Sequence, residues 1–399
     1  MRTSNKQTLR KPASKHNNKT KILIIVNIAL LLAILVTAYL GRHTIVRVIG
    51  EHRLNKAEEV IPWGDDNTAK KENNDEPKQD ITRNQESRNI LFIGKDDIAL
   101  NTDVMMLINL NTKENKISVM QIPRDSFFTY NGTPVKFNSM FARILNSSKK
   151  TGDEVQDKKN ALDQFRQVLA DNLSINIDYY AMIDLNGLVG IVDAIGGVPM
   201  YVPYDMKYTD PGQNLYIDIK EGQQTLTGAV ARQYVRFRSG YVEADVGRQD
   251  AQKVFLVAFL NQFRSKFTLS NLGSIVKELD QYLITSLDDD QMTALAMIGY
   301  GMDLENISIF SAPGTPLSPR EYYNGSAYYI LNREALYKIV NEHFNLINTD
   351  IPEDAFDKNK NFTLLNNYTI NAYYNKHLES VTVYSAQEID QNGIDIKLK

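Results

Sequence analysis

The chain has 399 residues, 43% of them hydrophobic, which is enough apolar material for one large domain or two ordinary ones. It has no cysteine, which excludes disulfides, thiolate metal sites and cysteine nucleophiles. The formal net charge of −3 conceals an uneven distribution, because the first 21 residues carry seven Lys or Arg and no acid.

This basic segment runs directly into an apolar one. Residues 22–40, ILIIVNIALLLAILVTAYL, are interrupted only by Asn27, Thr37 and Tyr39. At about 1.5 Å per residue they have nearly the length that crosses a hydrocarbon core of roughly 30 Å. A cleavable signal peptide is the alternative, but its apolar part should be shorter, and VTAYLGRH has no A-x-A-like cleavage site. We predict an uncleaved anchor, with residues 1–21 in the cytoplasm and the rest outside.

The segment after the anchor offers little to bury. Residues 41–60 can continue as a helix, but Pro62 follows, and residues 64–88 are almost entirely polar. We expect a juxtamembrane segment and a disordered tether over 41–88. Outside the membrane the chain then holds 38 basic against 48 acidic residues, and this balance of −10 argues against nucleic acid as a partner.

Ordered structure is predicted to begin with three short apolar strands. NILFIG at 89–94 ends in glycine, VMMLINL covers 104–110, and KISVMQIP follows a turn at 116–123. FNSMFARIL and ALDQFRQVLADNL then place apolar residues on one helical face each. IDYYAMIDLNGLVGIVDAIGGVPMYV reads as strand, helix, a stop at Gly196 and Gly197, and strand. Alternating helices and strands predict a layered α/β domain.

The later part of the chain continues this pattern. KVFLVAFLNQF is apolar nearly all round and predicts a buried helix, and SAYYIL and REALYKIVNEHF read as a strand and a helix. The run Asp288, Asp289 and Asp290 suggests either a metal site or a helix cap before QMTALAMIGY, and the cap is favoured because acids there complement the helix dipole.

The segment YVRFR, at 234–238, concentrates positive charge. If it is a strand, alternation places Arg236 and Arg238 on one face and Val235 and Phe237 on the other. Two neighbouring guanidinium groups repel, unless an anion such as phosphate lies between them. The alternative is an exposed edge strand whose arginines pair with carboxylates.

Further residues strengthen the anion hypothesis. Asp245 can cap a helix in which Arg248 and Gln252 share one face near the helix N-terminus, a favourable place for phosphate. Arg124 follows Pro123 at the end of an apolar strand, where a side chain is readily delivered to a cleft.

Two carboxylates complete the candidate site. Asp96 lies just after the first predicted strand and Asp103 just before the second, so pairing of these strands brings the carboxylates to the same edge. Each alone is more typical of a turn or a cap. Together with the arginines they indicate a site that binds Mg²⁺ through carboxylates and substrate phosphates. Phosphoryl transfer needs positioning and charge neutralisation more than it needs a protein nucleophile.

These segments resemble the LytR-CpsA-Psr family of bacterial cell-envelope proteins. Besides the basic tail and single span, the matching residues are LFIGKD, TDVMMLINLNTKENKISVMQIPRD, KFN at 136–138, DYYAMIDLNGLVGIVDAIGGVPMYVP, GQQTLTGAVARQYVRFRS and ADVGRQDAQ. They cover residues 89–263 in order. The expected fold is α/β, a three-layer α-β-α sandwich around a central mixed sheet, preceded by one transmembrane helix.

The resemblance implies a phosphotransferase that attaches an anionic glycopolymer, of teichoic acid or capsule type, from a polyprenyl-pyrophosphate carrier to peptidoglycan through a phosphodiester. It implies Mg²⁺ (or Mn²⁺) held by Asp96 and Asp103, and an apolar pocket for the lipid tail. The implied catalytic residues are Asp103, Arg124, Arg236 and Arg238. The implied pyrophosphate-binding residues are Arg124, Arg236, Arg238, Arg248 and Gln252, with Asp245 orienting the arginines beside it. The sequence does not fix whether the reaction uses a general base, although Asp103 or Asp125 could serve as one.

One position departs from the family pattern. The family usually has Arg two places before Asp103, and this chain has Asn101. The phosphate contact that this arginine would make is either lost or supplied by another residue such as Arg143 or Arg320. Asn101 keeps open a non-catalytic, polyprenyl-lipid-binding regulator of envelope synthesis, and hydrolysis of the lipid pyrophosphate by water is a further alternative.

The expected organisation is that of a single-pass protein of the bacterial cell membrane. It has a cytoplasmic tail (1–21), a transmembrane helix (22–40), a juxtamembrane segment and linker (41–88), an extracellular catalytic domain (89–346) and a C-terminal extension of unassigned role (347–399).

Overall fold

A computed structural model describes residues 42–59, 82–95, 100–242, 245–266, 281–317, 327–357, 361–362, 364–365 and 382–396. The predicted anchor at 22–40, most of the predicted tether and Asp96 lie outside these ranges. Within the ranges, no helix combines the length and the apolar character needed to cross a membrane.

The fold contains a large central sheet and several two- or three-stranded ribbons. The strands are β1 (Ser87–Lys95), β2 (Thr102–Asn111), β3 (Lys116–Gln121), β4 (Phe127–Tyr130), β5 (Thr133–Lys136), β6 (Tyr179–Asp184), β7 (Val198–Val202), β8 (Met206–Asp210), β9 (Leu215–Ile219), β10 (Gly222–Leu226), β11 (Leu283–Thr285), β12 (Ile307–Ser311), β13 (Gly314–Leu317), β14 (Tyr328–Asn332), β15 (Leu364–Leu365) and β16 (Tyr384–Ser385).

The helices surround this sheet. They are α1 (Arg42–Glu59), α2 (Met140–Ser147), α3 (Glu154–Leu173), α4 (Leu185–Ala194), α5 (Gly228–Tyr234), α6 (Asp245–Lys266), α7 (Asp289–Gly301), α8 (Arg333–His343), α9 (Glu353–Asp357) and α10 (Ala386–Asn392).

The central sheet has the strand order β11-β6-β1-β2-β3-β12-β16. β1 pairs parallel with β6, and β3 with β12, while the other neighbours are antiparallel. The sheet is therefore mixed, as predicted. In β1, Leu91 and Ile93 face one side and Phe92 the other, as period-two alternation requires.

Helices cover both faces of this sheet. On one face, α2, α3 and α8 bury Phe141, Phe165 and Leu336 in the same core as Leu91. On the other face, Leu54 of α1, Val257 of α6, Ala294 of α7 and Ile389 of α10 share a core with Met106 and Val119, the residues of β2 and β3 that point that way. The helix–sheet–helix arrangement confirms the predicted layering.

Local signals end and begin the helices as the sequence predicted. After α4, Gly196 and Gly197 have φ of +80° and +81°, a backbone conformation that side chains with a Cβ rarely adopt. At α7, the Asp288 carboxylate accepts from the backbone N–H of Gln291, and the Gln291 side chain accepts from the backbone N–H of Asp288. This capping box confirms the cap that the sequence favoured over a metal site.

A second apolar core lies beside the sheet. Two ribbons, β7 with β10 and β8 with β9, pack against α4, α5 and the middle of α6. Tyr234, Phe237 and Tyr241 are fully buried in it. This core supports the turn that follows α5.

The first and last helices or strands of the described residues pack onto the same body. At Gly50, α1 approaches α7 so closely that an added Cβ would lie 2.8 Å from Ala294 O and from Met297 Cβ. The helical part of the predicted juxtamembrane segment is thus docked on α7. Near the other end, β16 pairs with β12 at the edge of the central sheet.

Candidate active site

The first part of the site comes from β2 and β3. These strands are antiparallel, with Met106 opposite Gln121, so the start of β2 and the exit of β3 lie at the same end of the sheet. Asp103 is the second residue of β2, and Arg124 follows the end of β3 by three residues. Arg124 Nη1 donates to Asp103 Oδ1 over 2.7 Å.

The second part comes from the first turn of α6. Asp245 begins this helix, as predicted, and its Oδ1 lies 3.0 Å from Arg124 Nε and 2.8 Å from Arg248 Nη2. Arg248 Nη1 in turn lies 3.9 Å from Asp103 Oδ1. Two carboxylates and two guanidinium groups therefore alternate, and we call Asp103, Arg124, Asp245 and Arg248 the charge cluster.

The charge cluster is buried at Arg248 and partly exposed at its other three members, and several of its atoms lack hydrogen bonds. The Arg248 side chain is only 4% exposed. The pairs at Asp245 are within ion-pair distance, yet Arg124 Nε, Arg248 Nε, Arg248 Nη2 and Asp245 Oδ1 make no hydrogen bond within the described part of the chain. Buried guanidinium donors without acceptors are costly. Oxygen atoms of an anionic ligand would satisfy them.

Opposite influences act on the two arginines. Burial tends to lower the pKa of Arg124, but the carboxylates of Asp245, Asp103 and Asp125 outweigh it and raise that pKa. At Arg248, burial lowers the pKa, helped by the charges of Arg124 and Arg238 and opposed by Asp245 and Asp103. The lowered pKa of Arg248 is thus due chiefly to burial, and an anion beside it would favour its charged form.

The strand predicted at 234–238 is wrong. Tyr234 is the last residue of α5, and the amides of Arg236 and Phe237 bond back to Gln233 O over 3.2 and 3.1 Å. The apolar alternation arises because Val235 and Phe237 enter the second core from a turn. Arg236 and Arg238 therefore do not share a strand face, although both still follow directly from α5.

This turn brings one arginine to a cavity beside the charge cluster. The cavity holds about 420 Å³. Its polar lining includes Arg124, Arg238 and Asp245, and its apolar lining includes Pro123, Tyr208, Val246, Pro316, Tyr328 and Tyr329. Arg238 is exposed, and within the described residues no carboxylate pairs with Arg236 or Arg238. The edge-strand alternative is wrong because the segment is a turn and not a strand.

Gln252 lies on the same face of α6 as Arg248, and both are buried. Its amide is engaged with the protein: Nε2 donates to Val235 O over 2.9 Å, and Oε1 accepts from Gln121 Nε2 over 2.7 Å. Gln121 was not singled out from the sequence. The signal available was a polar residue at the buried end of the apolar run SVMQIP.

Of the two predicted metal ligands, only Asp103 is described, and Asp96 lies outside the described residues. Residue Lys95, at the end of β1, is paired with Thr102 at the start of β2, so these strand ends do meet as the sequence argument required. Among the described residues, no group of three or more His, Asp or Glu could hold a metal ion. Mg²⁺ needs only one or two protein carboxylates when phosphates supply the rest.

Of the remaining candidates, one lines the cavity, one lies on α2 and one lies outside the described ranges. Asp125 lines the cavity and pairs with Lys136, with Nζ 2.9 Å from Oδ1. Arg143, proposed to replace an arginine absent at Asn101, donates from Nε to Ser139 Oγ over 3.1 Å. Arg320 lies outside the described residues.

Comparison with known proteins identifies the class to which this fold and site belong. Residues 63–345 match the LytR_cpsA_psr family, so the chain belongs to that family and the resemblance drawn from its motifs is confirmed.

Individual relatives are distant. The polyisoprenyl-teichoic acid–peptidoglycan teichoic acid transferase TagV of Bacillus subtilis (strain 168) is 24% identical over 339 residues, 82% of this chain and 80% of that protein. A TagU of Oceanobacillus iheyensis is 26% identical over 266 residues, 66% and 77% of the two chains. The crystal structure of B. subtilis TagV superposes with a TM-score of 0.53 at 24% identity, over 65% of this chain and 97% of that one. The superposition shows that the fold is shared.

Proposed function

We propose that this protein attaches an anionic glycopolymer, carried on polyprenyl pyrophosphate, to peptidoglycan through a phosphodiester. The observation that carries the proposal is the charge cluster, in which several buried guanidinium nitrogens make no hydrogen bond within the described residues and which adjoins a cavity of about 420 Å³. The family membership and the transferase names of TagV and TagU support the same reaction class.

The arginines suit a pyrophosphate bridge. Arg124 and Arg238 line the cavity, and Arg248 supports Arg124 from beneath through Asp245. A guanidinium group offers a planar pair of donors that matches two phosphate oxygens. Fixed positive charge beside the phosphorus stabilises the charge that develops during transfer without reorganising water. The apolar walls of the cavity, including Tyr208 and Val246, are suited to the uncharged part of a substrate.

A divalent cation fits this donor set. We propose Asp103 and Asp96 as the protein ligands of Mg²⁺, with phosphate oxygens as the others. Asp103 Oδ1 is bonded to Arg124, and in the described residues no bond is formed by its second carboxylate oxygen. Bound there, the cation would neutralise phosphate charge.

In this reaction the protein positions the substrates and neutralises charge, and it forms no covalent bond itself. A peptidoglycan sugar hydroxyl attacks the phosphorus joined to the glycan, and a new P–O bond forms. The bond between that phosphorus and the bridging oxygen breaks, polyprenyl phosphate leaves with the bridging oxygen, and the hydroxyl proton is released to solvent. Water in place of the sugar would give hydrolysis, which is the pyrophosphatase alternative.

The same proposal places the site outside the cell. Its supports are the seven basic residues before residue 22 and the 19 apolar residues that follow. Addition of protease to intact protoplasts should then digest the C-terminal part of the chain. Protection of that part would contradict both the topology and the substrate.

The direct test incubates the purified full-length chain with a polyprenyl-pyrophosphate-linked glycan, peptidoglycan oligomers and Mg²⁺. We expect a phosphodiester-linked product by mass spectrometry, absent without Mg²⁺ and absent with Arg124→Ala. Release of glycan phosphate without a linked product would favour the pyrophosphatase. Binding without either product would favour the regulator.

A further inference from the structure

We infer that Gln121 and Gln252 form a positioning relay that holds the arginine turn after α5, so that Gln252 acts through the backbone and not as a pyrophosphate ligand. The inference deepens the proposed function and rests on it only for the identity of the ligand.

The direction of the relay is fixed by a carbonyl group. Val235 O can only accept, so the Gln252 atom 2.9 Å from it must be the amide nitrogen. The Gln252 oxygen then faces Gln121, and only the Gln121 nitrogen can donate to it over 2.7 Å. The two amides therefore have one consistent orientation, running from β3 through α6 to the turn.

Both amides are buried, so their hydrogen bonds must be made with other protein groups. Gln121 is 2% and Gln252 5% exposed, so water does not compete for either amide. The remaining acceptor, Gln121 Oε1, has no partner within the described residues. A buried amide oxygen without a donor costs free energy that an apolar residue would avoid. We therefore interpret Gln121 as a residue that is needed for its hydrogen bond to Gln252.

The end of the relay is the backbone that carries the arginines. Val235 immediately precedes Arg236, and Phe237 anchors the next step in the second core. The turn is otherwise held by longer bonds, such as Tyr241 N to Arg238 O at 3.2 Å. The relay thus connects the strand that leads to Arg124 with the turn that leads to Arg238, the two arginines that line the cavity.

The test compares Gln121→Met, Gln252→Met and the double variant, with binding of a polyprenyl pyrophosphate as the readout. Each single variant should raise Kd by about three- to tenfold, and the double variant by no more than one of them, because both changes break one chain of bonds. If Gln252 is a direct ligand, Gln121→Met will bind like wild type while Gln252→Met will not, and the relay is wrong.

A matched control comes from the same helix. Gln262 is also buried on α6 and also donates to a carbonyl, Ile195 O, over 2.9 Å, but lies ten residues further along. Gln262→Met should lower the melting temperature without changing Kd. An equal effect of Gln262→Met on Kd would show that general loosening of α6 explains the result, and would overturn the relay.

Hydrogen exchange in the free protein separates the relay from the proposed function. Gln121→Met should speed amide exchange over residues 236–241 relative to wild type and to Gln262→Met. If wild type fails to bind polyprenyl pyrophosphate, the proposed function fails, whereas the relay is still decided by exchange. Unchanged exchange over the turn would refute it.

Discussion

At one end of the central sheet, the start of β2 and the exit of β3 carry the charge cluster. At the other end, the neighbouring strands β1, β2 and β3 carry Asn89, Asn109 and Ser118 side by side, with Asn89 opposite Asn109 and Asn109 opposite Ser118. Both ends contain buried polar side chains, which are Arg248 of α6 at the first end and Asn89 and Asn109 of the sheet at the second. They differ in how those side chains are partnered.

At the asparagine end the donors have acceptors. Asn109 Nδ2 donates to Ser87 Oγ at 2.9 Å and to Asn89 Oδ1 at 2.8 Å, and Asn89 Nδ2 donates to Asn176 O and Phe344 O, each at 2.8 Å. Within the described residues, every buried polar atom of these side chains has a hydrogen-bond partner. Such a network joins the sheet to the segment after α8.

The contrast separates two uses of buried polarity. A network that is complete within the protein stabilises the fold and needs no ligand. The charge cluster holds strong donors at ion-pair distance but leaves several of them without hydrogen bonds, so an added anion improves it. Substitutions at the asparagine end should therefore affect stability alone, whereas substitutions at the charge cluster or the cavity beside it should affect ligand binding.

The largest effect is expected from Asp245→Asn. This change leaves Arg124 and Arg248 without the carboxylate between them, and it should destabilise the protein by about 3 kcal/mol, the scale of a broken buried ion pair. It should also weaken binding of polyprenyl pyrophosphate. Urea unfolding and ligand titration measure both, and the exposed Asp218→Asn serves as control. Wild-type stability for Asp245→Asn would show that the cluster is solvated and not a buried network.

Arg238→Ala should affect binding alone. Arg238 is exposed and faces the cavity, so its loss should remove a charge-assisted contact of about 1.5–3 kcal/mol while the thermal melt stays unchanged. Arg238→Lys should restore binding only in part, since a point charge cannot form a bidentate fork. Arg236→Ala tests the neighbouring arginine in the same way. Equal binding by both Ala variants and wild type would remove the phosphate site from this turn.

Asn109→Leu should show the reverse pattern. It deprives Asn89 Oδ1 and Ser87 Oγ of their donor, which should lower the free energy of unfolding by about 1–2 kcal/mol. Ligand affinity should be unchanged, because β2 separates Asn109 from Asp103 by six residues, roughly 20 Å. A large loss of affinity would show that the two ends are coupled.

The smallest effect is a pH dependence at the asparagine end. Burial lowers the pKa of His343, and Lys116 acts in the same direction, against Glu342. The unfolded chain therefore takes up the proton first, so stability should fall as pH decreases below about 6.5. His343→Gln should flatten this slope in melts between pH 7.5 and 5. A slope that persists in the variant assigns it to other groups.

Much of the fold was predictable because its signals are local. The apolar runs of β1, β2 and β3, the helix stop at Gly196 and the cap at Asp288 each depend on a few neighbouring residues. The segment around Arg236 was wrong because alternation of Val235 and Phe237 has two causes, a strand or a turn packed on a core. Only the tertiary core decides between them.

The site was predictable to the level of its residue types. Arg124, Asp103, Asp245 and Arg248 converge as the family resemblance implied. The role of Gln252 was not predictable, because its partners, Gln121 and Val235, are 131 and 17 residues away and neither carries a sequence signal for the contact.

The docking of α1 on α7 at Gly50 determines which segment sets the distance between the folded domain and the residues before it. Residues 60–81 connect two points of one folded body, namely the end of α1 and Thr82, which precedes β1. Lengthening this polar segment therefore does not increase the distance that the domain can reach from residues 22–40. Only an insertion at Gly41, between residues 22–40 and α1, would let the domain move farther from the segment that precedes it.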